Sequence, residues 1–235
     1  MAWHNKQTGS YGRTSTEAYD NAIEIYNILS SWGWHRSSVC ALLGNMEVES
    51  GYNPWRWQGD SVPVEGNTAY IGTNPTTNTN HAYGLMQFDP PYKYLHSNAS
   101  TLSQFGINYS NQAGSTSDGY AQLWWTHNLS VSTGQYFVNP SHPTYNDSWN
   151  EFITNSNNRS VTFLATEWCY NWERGTWSDE RVNGANFWDQ TLPGQPQPPT
   201  PGGNIPIWLL FKLKERNFKY WVRLTIITLK MYIIP

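Results

Sequence analysis

Charge is scarce in this chain. Only 13% of its 235 residues are Asp, Glu, Lys or Arg, and the net charge is -3. That balance offers no field that would seek out phosphates, which argues against nucleic acid as a partner. Cysteine is scarcer still, with Cys40 and Cys169 alone. Two thiols cannot build a zinc site by themselves. None of the histidines stands at ligand spacing beside them and no H-E-x-x-H motif occurs, so no metal and no cofactor is expected. The two cysteines are either one disulfide or two buried thiols. Long apolar runs are also missing: the longest uncharged stretches near the end, 205–211 and 224–229, fall far short of the roughly 20 residues a membrane-spanning helix needs. The first residues, Met1 to Lys6, contain no apolar h-region, so no signal peptide is expected. No internal repeat is visible.

Aromatic residues are abundant. They make up 16% of the chain, with 14 Trp and 15 Tyr. A core of this size rarely needs so many Trp, so some are expected to face solvent or a ligand. Aromatic faces stack on the apolar faces of sugar rings as readily as on one another, which points to carbohydrate.

Three parts follow from composition. Residues 193–204, Pro/Gly-rich from Pro193 to Gly203, read as a linker. Residues 1–204 hold 8 basic and 16 acidic residues, whereas 205–235 hold 6 basic and 1 acidic. The basic, apolar end reads as a truncated module or a further linker, or as an amphipathic segment at a membrane surface. Residues 1–192 remain as one domain.

Within that domain residues 1–13 read as a loose lead-in. Thr14-Ser15-Thr16-Glu17 reads as a capping box opening a helix with Ala18, Ala22, Ile25, Leu29 and Trp32 on one face, ended by Gly33. A second helix spans about 36–50, with Val39, Leu42, Leu43 and Met46 as its stripe and Gly51 and Asn53-Pro54 as its stop. Residues 54–82 read as an irregular lobe with one small hairpin. A short helix is expected near Pro91 to Leu95, and 98–120 read as loop. Further helices are expected at Tyr120–Trp125, Trp149–Ile153, along Val161, Leu164, Trp168 and Trp172, and over about 181–192.

Two carboxylates, Glu47 and Glu49, end the otherwise apolar second helix. At about 100° per residue they lie roughly 90° and 70° from the stripe, on opposite flanks, so geometry does not choose between them. A carboxyl group near a helix C-terminus faces the negative end of the dipole, which favours its protonated form. A carboxylic acid that keeps its proton near neutral pH is what cleavage of a glycosidic bond requires.

Glu49-Ser50-Gly51-Tyr52-Asn53-Pro54, followed by Tyr83-Gly84-Leu85-Met86-Gln87, resembles the paired signature of goose-type lysozymes and lytic transglycosylases. The fuller string Leu42 to Ser50 is more similar still to the phage tail lysozyme family, and Ala165-Thr166-Glu167-Trp168 running into Trp172-Glu173-Arg174-Gly175 is similar to that family's late Trp-Glu-Arg helix. The resemblance covers about residues 15–192. It implies an α+β fold, mostly helical and lysozyme-like, with a small irregular β lobe beside an active-site cleft. The activity it implies is cleavage of the β-1,4 bond between N-acetylmuramic acid and N-acetylglucosamine in peptidoglycan. Glu49 would be the general acid and Ser50 would help position it. Gln87 would contact the N-acetylated sugar, and Gly84 would let backbone approach that sugar closely. Tyr83 and Tyr92, among the aromatics around both motifs, are candidate sugar-stacking residues, and Trp55, Trp57 and Phe88 share that neighbourhood. Glu47 has no catalytic counterpart in the motif and reads as structural, as does a Glu173–Arg174 ion pair.

A base is harder to place. An inverting hydrolase needs a second carboxylate, for which Asp60 and Asp89 are the nearest candidates, whereas a lytic transglycosylase uses the substrate's own hydroxyl. Both are also residues typical of turns. Partners implied by the resemblance are peptidoglycan glycan strands and other phage tail proteins, and the implied location is a phage virion or a released lysin. Two other readings compete: a thiol hydrolase using Cys40 with His81 or His142, and a non-catalytic wall-binding tail module that keeps the fold.

Overall fold

The computed structural model describes residues 3–4, 9–56, 58, 82–89, 94 and 118–194. Six helices account for most of them: α1 (Thr16–Ser31), α2 (Arg36–Glu49), α3 (Asp118–Leu129), α4 (Trp149–Thr154), α5 (Val161–Trp168) and α6 (Asp179–Thr191). α5 runs on as a π-helical turn, Cys169–Glu173. The described part is mostly helical. The lobe expected over 54–82, the short helix near Pro91 and the segment beyond 194 fall largely or wholly outside the described residues. Tyr94 is helical, and one isolated antiparallel bridge joins Tyr83 to Phe88. The expected loop over 98–120 needs correction at its end, because α3 already begins at Asp118.

α2 is the central helix. Every residue from Ser38 to Met46 is buried, and α6, α5, α1 and α4 all pack on it. A helix covered on all sides cannot carry bare polar groups, and its two polar core residues are indeed paired. Ser38 Oγ donates to Phe152 O at 2.6 Å, and Asn45 Nδ2 donates to Ala41 O at 2.9 Å and Ala165 O at 3.0 Å.

The helix starts follow local chemistry. Ser15 caps α1 by accepting from Ala18 N–H, so the cap is a single Ser15 bond and not the box expected from Thr14 to Glu17. A full capping box occurs at α4, between Ser148 and Glu151. α2 ends where Ser50 and Gly51 both turn their N–H groups onto Met46 O, at 2.8 and 2.9 Å.

The tryptophans chiefly form the core. Trp34, Trp125, Trp168, Trp172 and Trp188 are almost wholly buried, and Trp168 stacks on Trp172 at 5.0 Å and 12° across the π turn. Of the described Trp only Trp177 is well exposed. Among the described residues most of the tryptophans are therefore spent on packing flat rings against one another. The described part of the lead-in is also packed: Trp3 lies against Gly119, Tyr11 N–H donates to Gly51 O at 3.0 Å, and Arg13 closes on Glu47.

Cys40 and Cys169 are free and buried. No disulfide forms.

Candidate active site

The two carboxylates at the end of α2 have different neighbours. Glu47 takes both Arg13 Nε and Nη2, at 2.7–2.8 Å, and a hydrogen bond from Tyr52 Oη at 3.0 Å. Tyr52 Oη in turn accepts from Trp188 Nε1 at 2.8 Å. Glu47 thus ties the N-terminal segment to α2 and α6, which agrees with its structural reading. Glu49 sits on the other flank, where it receives Arg181 Nη2 at 2.5 Å. It also lines a cavity of about 410 Å³ with Val48, Arg56, Gln58, Ala82, Gln87, Asp89, Glu173 and Gly175.

Arg181 projects from the first turns of α6. Its side chain is only 7% exposed, against 20% for Glu49. Besides Glu49 it donates from Nη1 to Asn45 Oδ1 at 2.8 Å, so Asn45 uses both ends of its amide: the nitrogen on two backbone carbonyls, the oxygen on Arg181. Burial pulls the guanidinium's pKa down, but the charges of Glu49 and then Glu173 outweigh it and hold Arg181 above its usual range.

Glu173 closes the π turn with its carboxyl set in the cavity wall. Its Oε1 accepts from Trp168 Nε1 at 2.9 Å. Burial, and then the charge of Glu49, push its carboxyl well above the ordinary carboxylate range; Arg181 pulls less strongly the other way. The expected ion pair with Arg174 does not form. The π turn carries Glu173 inward, while Arg174, in the left-handed region at φ +54°, lies over Phe137.

The second motif is a tight turn. Tyr83 and Phe88 bond across it at 2.8 and 3.2 Å, and Gly84 N–H donates to Arg56 O at 2.8 Å. Gln87 takes a left-handed φ of +46° and donates Nε2 to Arg56 O at 3.1 Å and Gly84 O at 3.0 Å. A non-glycine residue in that region is held there by its surroundings, and such positions cluster at functional sites. Gly84 itself has φ +86°, and a Cβ there would lie 2.4 Å from Gln122 Oε1. The Gln122 amide beneath it and the positive φ both therefore require glycine at this position. Gln122 is fully buried and joins the two motifs, accepting from Leu85 N–H at 2.7 Å and donating to Pro54 O at 2.8 Å.

The remaining sequence candidates divide. Asp89 lines the cavity with Glu49. Asp60, Tyr92, Trp57 and His81 lie outside the described residues. Ser50 and Tyr83 are fully buried, so neither offers a face to a sugar: Ser50 Oγ donates to Met46 O at 3.2 Å and backs the helix end. Phe88, also buried, stacks on Tyr94 at 5.0 Å. Trp55 is half-buried. The thiol alternative fails: burial pushes Cys40 up to about 12, far from a thiolate at neutral pH. Among the described residues no group of His, Cys, Asp and Glu could hold a metal ion.

Sequence reasoning missed Arg181, Arg56, Gln58 and Gln122, and took Glu173 for half of a structural ion pair with Arg174. Asn45 and Glu49 stand one helical turn apart, so one buried cation can reach both. That spacing was a visible signal for an arginine, though not for which one.

A family model described as phage tail lysozyme matches residues 20–192. Morphogenesis protein 1 of Bacillus phage B103 is similar to the chain, at 27% identity over 179 residues, covering 74% of this chain. The matched region spans only 40% of that relative's length.

Proposed function

The chain belongs to the phage tail lysozyme family, and from that premise we propose that it hydrolyses the β-1,4 bond between N-acetylmuramic acid and N-acetylglucosamine, with Glu49 as the general acid. The observation that carries the reading is that Glu49 and Gln87, from motifs nearly forty residues apart, line one cavity. Glu49 hands a proton to the glycosidic oxygen as the bond to the sugar's anomeric carbon breaks. Gln87 spends its Nε2 on backbone carbonyls, which leaves Oε1 as the atom that accepts an acetamido N–H. Asp89, on the same cavity wall, is the carboxylate that would take the proton of the attacking water. A transglycosylase would need no such group. As a member of a phage tail lysozyme family that is similar to a phage morphogenesis protein, the chain would act on the wall as part of a tail.

Clearing of Gram-positive cell walls by the wild type and by Glu49→Gln tests the acid. Loss of a positioned general acid costs about 10² to 10⁴ in rate, so the variant is expected to clear walls at least about 100-fold more slowly. Clearing at the wild-type rate would end the assignment. Mass spectrometry of the products should show reducing ends; 1,6-anhydro ends would replace hydrolysis by transglycosylation.

A further inference from the structure

We propose that Glu49 and Glu173 hold one proton between them, with Arg181 as their shared counter-charge, and that Glu173 is the store from which Glu49 is reprotonated. The inference deepens the general-acid reading of Glu49 and rests on it.

The geometry is a cluster of three. Glu49 from the end of α2 and Glu173 from the π turn after α5 line the same cavity; Arg181 from α6, almost buried, pairs with Glu49, and its Nη2 and the Glu173 Cβ lie 3.6 and 3.7 Å from the Cβ position of Gly175. Arg181 gives Glu49 a direct hydrogen bond at 2.5 Å and keeps its buried Nε without a partner. It brings one positive charge to two carboxyl groups. Their charges balance when one of the two carries a proton, and two like charges sharing a site do not both ionise readily.

Each neighbour of Glu173 fits the role of store. From its own helix, Trp168 Nε1 donates to Oε1, Arg174 contributes a weak distant attraction, and the Cys169 thiol stays protonated, pushed up to about 11 by burial. From α2 comes the charge of Glu49, from α6 that of Arg181. Arg56 and Asp89 line the same cavity. Burial and Glu49 together keep the Glu173 proton in place well above the usual carboxylate range.

The step is a proton transfer alone. The shared proton rests on Glu173: the Glu173 carboxyl O–H bond breaks as an O–H bond forms on Glu49, and Glu49 then gives that one proton to the departing glycosidic oxygen and returns to a carboxylate. Glu173, now a carboxylate, regains its proton when Asp89 or solvent releases the one taken from the attacking water. Glu173 acts through Glu49 and is a positioning residue.

The pH profile distinguishes this from a purely structural role. In the wild type the alkaline limb of wall clearing reports loss of the pair's shared proton, a property of the pair and not of either residue. In Glu173→Gln the side chain keeps its size and its bond from Trp168 but stores no proton. Activity then requires the proton on Glu49 itself, opposite an undivided Arg181. The alkaline limb is expected to move down by about one pH unit or more, while the rate on the acid side stays within several-fold of wild type. A limb that superimposes on the wild type overturns the proposal. So does a folded variant inactive at every pH, because at low pH Glu49 can take its proton from solvent. Should the variant fail to fold, NMR titration of ¹³C-carboxyl glutamate in the wild-type protein decides: both carboxyl carbons should move together in two steps, and independent single steps would refute the pairing. If Glu49→Gln is inactive and the Glu173→Gln profile is unchanged, the pairing falls alone. If Glu49→Gln keeps full activity, the glycosidase reading falls first.

Discussion

Replacing Gly44 by alanine should both destabilise the protein and slow it. Gly44 lies where α2 and α6 meet backbone to backbone. A Cβ there would lie 2.2 Å from Arg181 O, 2.4 Å from Ala185 N and 2.8 Å from Ala185 Cβ. Carbon atoms pack at about 3.5–4.0 Å, so α6 must retreat by about 1 Å. Two of the three obstructing atoms are main chain, with no rotamer to yield. Overpacking of this kind costs about 3 kcal/mol or more, and alanine returns about 1 kcal/mol of helix propensity. The net loss is about 2 kcal/mol, which for a domain of this size lowers Tm by about 4–8 °C. The carbonyl being pushed belongs to Arg181, so its guanidinium leaves Glu49 and Asn45 as α6 shifts. A displacement of about 1 Å in such a support can cost about 100-fold in rate, and a loss of at least 10-fold is expected. Thermal unfolding followed by tryptophan fluorescence reads the first effect, and wall clearing at 20–25 °C, where the variant stays folded, reads the second. Gly12→Ala is the control, because nothing lies within 4 Å of its Cβ position. A Gly44→Ala protein with unchanged Tm and unchanged clearing would show that α6 has slack at this seam, and the account of Arg181 as a rigidly placed support would fail.

Two further predictions concern buried titratable groups. Glu167 is fully buried, with Oε1 accepting Asp147 N–H at 2.8 Å and Oε2 unpartnered, and burial pushes its carboxyl up to about 8. The folded state therefore binds this proton more tightly than the unfolded state, so the stabilisation is complete below about pH 4.5 and is lost as pH rises toward about 8. Glu167→Gln should flatten that decline, worth a few kcal/mol at about 1.4 per unit. A Tm-versus-pH curve parallel to wild type would refute the assignment. The second concerns the thiols: with Cys40 pushed up to about 12 and Cys169 to about 11, neither should react with a disulfide reagent in the native protein, while both react after unfolding. Rapid native labelling of either would contradict their burial.

The helices were readable because periodicity reports which face is covered. α2 was recognised from Val39, Leu42, Leu43 and Met46, and its end from Ser50-Gly51. The π turn was not readable. Val161, Leu164, Trp168 and Trp172 repeat as an unbroken helical stripe would, yet the extra residue per turn after Trp168 rotates Glu173 inward and Arg174 outward. A pattern with a period of 3.6 cannot show where a period lengthens. The same limit hid Arg181. In sequence it is one cation in a polar helix, and only the close approach of α6 makes it a buried partner for residues on α2. The tryptophan surplus misled for a related reason: composition counts rings but does not say that they stack on each other.

The separation of Glu47 from Glu49 shows how packing breaks a symmetry that spacing leaves intact. The two stand on opposite flanks of one helix, and α6 crosses between them. Near its start α6 presents Arg181 to Glu49 and Asn45. One turn later it presents Gly184, whose Cβ position lies 2.5 Å from Glu47 Oε2 and 3.0 Å from Gly44 Cα. On the Glu47 flank, glycine lets α6 close down, and Arg13 and Tyr52 bond the carboxylate, with Trp188 holding Tyr52 in turn. Both oxygens of that carboxylate are taken up by Arg13, and Oε2 by Tyr52 as well. On the Glu49 flank, α6 supplies a charge, and the carboxylate lines a cavity with Gln87, Asp89 and Glu173. The seam therefore does two tasks with one crossing: small residues bring the helices together, and the arginine just before them uses that closeness to hold Glu49. Moving the arginine one turn along α6, or the glycine one turn back, would lose both.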